Sequence, residues 1–75
     1  MTNITAMLKM QFLKEANVII QDTKDSMPYV DTYKKEDHEY VDILHESTDI
    51  YHVQFDDGSI GWIEKQHVKF EFDND

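Results

Sequence analysis

The triplet Asp56-Asp57-Gly58 sits between two runs that alternate in polarity, and this combination restricts the chain more than any other feature. Before it, Tyr51, Val53 and Phe55 alternate with His52 and Gln54. After it, Ile60 and Trp62 alternate with Gly61 and Ile63. Period-two patterning marks half-buried strands, because successive side chains of an extended chain leave on opposite faces. Asp57-Gly58 is suited to the positive φ values that a tight hairpin turn needs. An antiparallel hairpin is therefore expected, with Trp62 either packed inside beside Ile60 or lying in a shallow aromatic groove.

The same alternation recurs on either side. Tyr40 to Leu44 sets Val41 and Ile43 on one face and Tyr40, Asp42 and Leu44 on the other. Val68, Phe70 and Phe72 alternate with Lys69 and Glu71. Glu64 to His67 is too short for a stable helix and predicts a single 3₁₀-like turn before the last strand. Val18-Ile19-Ile20 is β-branched throughout and predicts a strand. Thr5 to Glu15 fits either period, and a flexible or short helical start followed by a strand over Lys9 to Lys14 is expected. Gln21 to Met27 reads as loop, Pro28 as a turn or sheet edge near Tyr29, and Lys34 to Asp37 as a charged turn.

These short runs must share one domain, because the chain has 75 residues. With no cysteine, disulfides and thiolate metal sites are excluded. The economical solution is an all-β fold, a small barrel of about five antiparallel strands whose closure removes exposed edges. The expected organisation is a flexible or short helical segment over 1–7, the barrel over 8–72 and an acidic tail over 73–75.

Tyr33 to Leu44 resembles the bacterial SH3 (SH3b) stretch in which a basic turn leads into a strand. Tyr51 to Ile63 resembles that family's strand, Asp-Gly turn and Gly-Trp-aliphatic strand. Ala16-Asn17-Val18 is similar to its Leu-Asn-Val segment, and Gln66-His67-Val68 to the short turn before its final strand. The chain departs from the family after Val18, where Ile19-Ile20-Gln21 replaces an arginine and a Gly-Pro loop. Glu36-Asp37 stands where a glycine usually precedes the second strand. The resemblance implies an SH3-like barrel and a peptide-binding or adaptor role.

Catalysis is not expected. Ser26, Ser47 and Ser59 lack the context of an activated nucleophile. Carboxylates abound, but acid catalysis needs a cleft that raises a pKa, and so thin a core rarely provides one. His38, His45, His52 and His67 show no metal-ligand spacing, and Asp56-Asp57-Gly58 lacks the further ligands of a calcium loop. No cofactor is implied.

Charge points to the class of partner. Sixteen acids face seven lysines, with no arginine, for a net charge of −9. Direct nucleic-acid binding and anionic membranes are disfavoured, since both need clustered basic residues. From Glu36 to Asp57 there are eight acids and no lysine. A solvated face accounts for these acids most simply. A functional one would engage another protein with a basic surface through Tyr40, Asp42, Glu46, Asp49, Asp56, Asp57 and Trp62. The expected function is thus a cytoplasmic, non-catalytic protein-binding module, of the kind a phage or mobile element uses to inhibit a host protein. The alternatives are a DNA-mimicking decoy of a nucleic-acid enzyme and an SH3b-type peptide reader.

Overall fold

The computed structural model describes residues 7–71. They form one antiparallel sheet with seven strands: β1 (Leu8–Phe12), β2 (Ala16–Gln21), β3 (Tyr29–Tyr33), β4 (His38–Glu46), β5 (Ile50–Phe55), β6 (Ile60–Glu64) and β7 (Val68–Glu71). The lateral order is β3-β2-β6-β5-β4-β1-β7. A 3₁₀ turn, Lys65–His67, separates β6 from β7, at the place the sequence suggested. Among the described residues there is no α-helix, and hence none long and apolar enough to cross a membrane. The expected flexible start and acidic tail lie almost wholly outside the described residues.

Two expectations need correction. The strands number seven rather than about five: each of the six extended runs forms a strand, and Tyr29–Tyr33 pairs along β2 as a seventh. Nor does ladder pairing close the sheet among the described residues, since β3 and β7 end the strand order without meeting.

Strand β4 explains how a single sheet encloses a core. Its first part, His38 to Val41, pairs with β1, and its later part, Val41 to Glu46, pairs with β5. One strand thus serves both halves of the sheet, and the sheet curls about it. Val41 sits at the changeover and is fully buried. The register slips between Ile43 and His45, leaving Leu44 unpaired as a β-bulge. Ile43, expected to be buried beside Val41, is 37% exposed because the core does not extend to this end of the hairpin.

Met10, Phe12, Ala16, Val18, Ile20, Val41, Val53, Phe55, Ile63 and Val68 fill the inner face. Each large side chain among them contributes about 1.5–3 kcal/mol relative to exposure. Tyr33 stacks on Phe12 with ring centroids 4.4 Å apart, and Tyr51 meets Phe70 edge-on at 5.0 Å. Backbone hydrogen bonds from Leu13 to the His67 carbonyl and from Lys65 to the Asp49 carbonyl, both 2.8 Å, tie the loops to this body.

The β5–β6 turn is the expected hairpin, with one refinement. Gly58 alone takes a positive φ, +94°, and Asp57 does not. The Gly58 N–H donates to the Phe55 carbonyl at 3.0 Å, and the Phe55 N–H donates to the Ser59 carbonyl at 2.8 Å. This is a three-residue loop whose last member is left-handed, a common hairpin form. At the Lys34–Asp37 turn the left-handed position falls on Glu36, φ +77°, although glycine suits it best.

Candidate functional site

The acidic positions singled out from sequence do not converge. Glu46 and Asp49 lie at one end of β5, and Asp56 and Asp57 at the other, about 17 Å away at roughly 3.4 Å per residue. The Glu46 carboxylate is held by the Lys65 ammonium at 2.6 Å. Asp57 turns back on its own loop, accepting from the Ser59 hydroxyl at 2.6 Å and the Ser59 N–H at 2.9 Å. Those two bonds, the hydroxyl first, hold its pKa below the usual carboxylate value. Asp42 lies in mid-sheet opposite Gln54, half-buried. Tyr40 is exposed, meets His38 edge-on and pairs in register with Lys9 on β1. It therefore belongs to the other half of the sheet.

Trp62 does not take the first of its two expected placements, inside the barrel beside Ile60. The inward positions of β6 are Gly61 and Ile63, and Ile60 and Trp62 lie half-buried on the outer face. Gly61 faces inward because Phe55 occupies the space a side chain would need. The Trp62 ring stacks on His52, with centroids 4.7 Å apart and planes 9° from parallel.

Register places these residues in a line. Val30 opposes Ile19, Ile19 opposes Trp62, Trp62 opposes His52, and His52 opposes His45. Directly opposed residues of antiparallel strands share a face, with Cβ atoms about 4.5–5.5 Å apart. An apolar row therefore crosses the outer face, with Ile19 47% and Val30 62% exposed. A parallel row holds Asp42, Gln54, Ile60 and Gln21. Strands β2 to β6 contain the acids Asp31, Glu39, Asp42, Glu46 and Glu64 and no lysine.

Sequence reasoning missed Ile19 and Val30. The signal for Ile19 was present, because three consecutive apolar residues on a strand must turn one outward. His52 carries a further oddity, since its Nε2 is buried without a hydrogen-bond partner.

At the β3 side, the Tyr29 hydroxyl donates to Asp22 at 3.1 Å and the Tyr33 hydroxyl to Glu39 at 2.9 Å. Tyr33 is pushed well above the ordinary phenol pKa, by burial first and then by Glu39. Tyr29 is raised chiefly by its bond to Asp22.

An open hollow of about 780 Å³ lies at the β4–β5 turn, lined by Thr48, Asp49, Ile50, Glu64, Lys65 and Gln66. Its ammonium is already engaged by Glu46. Among the described residues, no three His, Asp or Glu side chains gather as a metal site would require. No known protein family, characterised protein or solved structure matches this chain.

Proposed function

We propose that the chain is a small SH3-like, non-catalytic binding module that docks a basic surface of another protein, and that it acts by occupying that protein. The SH3-like reading is supported by the circuit of β1, β4, β5, β6 and β7. In it a three-strand meander is followed by a 3₁₀ turn, and the last strand returns beside the first. The β2–β3 hairpin is an addition between the first two members of that circuit.

One observation carries the binding reading: the apolar row through Trp62 lies part-exposed on the outer face of strands β2 to β6, where Asp42 and Glu64 flank it and no lysine is present. Uncovered apolar rows rimmed by charge mark interaction surfaces, and acids at the rim speed encounter with a basic partner. Trp62 is the anchor, with Asp42 and Glu64 beside it. Asp49, Asp56 and Asp57 lie farther out and steer by charge alone, Glu46 is already paired with Lys65, and Tyr40, uncharged and on the other half of the sheet, is at most a contact at the margin. DNA mimicry is less well supported, because Lys65 neutralises Glu46 and Asp57 is bound within its own turn. A phage or mobile-element inhibitor is the setting this mode of action fits.

The test is capture of proteins on the immobilised chain, with Trp62→Ala and Asp42→Lys as variants. A partner held by the wild type, lost with either variant and not displaced by DNA is the expected result. Capture unaffected by both variants would reject the surface, and displacement by DNA would favour the decoy.

A further inference from the structure

Strand β3 ends the sheet, and its outer side has no partner strand among the described residues. A strand paired on one side only leaves alternate N–H and C=O groups pointing away from the sheet. Such an edge is commonly blunted by charged side chains, lysine above all, by proline, by a bulge or by extreme shortness. β3 holds only one of these, the carboxylate of Asp31 on its inner side, which repels another acidic chain and leaves the edge open to a basic one. It reads Tyr-Val-Asp-Thr-Tyr, and all five residues pair regularly with β2. Pro28 precedes the strand rather than interrupting it. The opposite edge, β7, carries Lys69.

The two faces of β3 differ in chemistry. On the outer face Val30 prolongs the row of Ile19, Trp62 and His52. On the other, Tyr29, Asp31 and Tyr33 share the side of Ile20, Val18 and Ala16. The carboxylates of Asp22 and Glu39 are bound to the two tyrosine hydroxyls there, with Asp31 between those tyrosines in the strand. An added strand would thus meet an apolar residue on one face and acids on the other.

In the register that would pair all five residues, a second copy of the chain suits this edge poorly. Two-fold antiparallel pairing centred on Asp31 would set the two copies of that residue opposite each other. Directly opposed like charges destabilise a sheet, and each chain already carries −9.

We infer that β3 is a strand-addition site for an extended basic segment of a partner protein, with lysine or arginine beside Asp31 and an apolar residue beside Val30. The inference rests on the protein-binding reading above and adds the mode of engagement. Main-chain hydrogen bonds provide affinity in such additions, and alternate side chains provide selectivity.

The test titrates the full chain, isotopically labelled, with a short synthetic peptide that alternates lysine and valine. The readouts are amide chemical shifts and hydrogen exchange. Shifts and slowed exchange should concentrate in Tyr29 to Tyr33. Affinity should fall by about tenfold for Asp31→Lys, and by a similar factor for a peptide N-methylated at alternate residues, which keeps its charge but loses donors. The inference is overturned by absent binding, by perturbation confined elsewhere, or by equal binding of the N-methylated peptide. Protection of the same amides without peptide, together with concentration-dependent sedimentation, would make a second copy the occupant and also overturn it. Trp62→Ala reads the broader proposal separately. A natural partner lost with Trp62→Ala but retained by Asp31→Lys would sustain the binding module and remove the edge from it.

Discussion

Replacing Gly61 with alanine would add one methyl group where Phe55 already lies. An ideal Cβ at this position falls 2.7 Å from Phe55 Cε2, 3.1 Å from Cζ and 3.4 Å from the Ile19 carbonyl oxygen. Carbon atoms prefer about 3.5–4.0 Å, so the first two contacts are repulsive. Phe55 is 4% exposed and packed within the core, so its ring can retreat only by displacing other core side chains. Overpacking of this kind costs about 1–3 kcal/mol. Alanine recovers about 0.4–1 kcal/mol through a less flexible unfolded chain, because Gly61 has no positive φ to forbid it. A net loss of about 1–2 kcal/mol remains, and each kcal/mol lowers Tm by about 4–8 °C in a domain of this size.

Urea denaturation should show a lower midpoint with an unchanged slope. The decisive measurement is the same substitution in a Phe55→Leu background. Leucine has no atoms at Cε2 or Cζ, so the penalty should shrink by about 1 kcal/mol or more. Gly58→Ala is the control. Nothing lies within 4 Å of its Cβ, and its cost, about 1–2 kcal/mol, comes from φ +94° alone and should be the same in both backgrounds. An equal penalty for Gly61→Ala with and without the Phe55 ring would refute steric conflict as the reason β6 turns Trp62 outward.

Three further outcomes follow from local chemistry. His52→Phe keeps the stack on Trp62 and removes an unpartnered buried nitrogen, so thermal melting should show a gain of about 1 kcal/mol. Glu36→Gly relieves a left-handed residue at φ +77° and should stabilise by up to about 1 kcal/mol in urea titrations. Asp57 has a folded pKa below its unfolded value of 3.8, so its stabilisation is full above that value and lost as pH falls through the folded one. Urea midpoints followed from neutral pH to about pH 2 should therefore fall less steeply in Asp57→Asn below about pH 4 than in the wild type.

The sequence made the β5–β6 hairpin legible, because Asp-Gly and alternation on both sides agree. Which side of β6 turned inward was not legible. Ile60, Trp62 and Ile63 put apolar residues on both faces, and the decision rests on a contact between Gly61 and Phe55 that no single-strand pattern reveals. Strand β3 was legible only as a turn or sheet edge near Tyr29, because its residues are mostly exposed, as an edge strand permits, and because Pro28 suggested a break. Ile43 misled for the opposite reason. Its alternation was intact in sequence, but the bulge at Leu44 and the limit of the core left it part-exposed. The acidic run from Glu36 to Asp57 looked continuous along the chain, yet β5 separates its clusters by its own length.

A lone curled sheet has one inner face to bury and one outer face that water can cover, so polar residues suffice on the outside. This chain instead sets Val30, Ile19 and Trp62 there in register, where they contribute less to stability than buried side chains would. It also leaves β3 unguarded by lysine or bulge. Both features invite self-association, and acid placement opposes it. Asp31 confronts its own copy at the edge, and the strands bearing the apolar row contain no lysine to pair with those acids. The same carboxylates that repel another copy attract a basic segment. A single distribution of charge therefore disfavours the wrong occupant of the edge and row while favouring the proposed one.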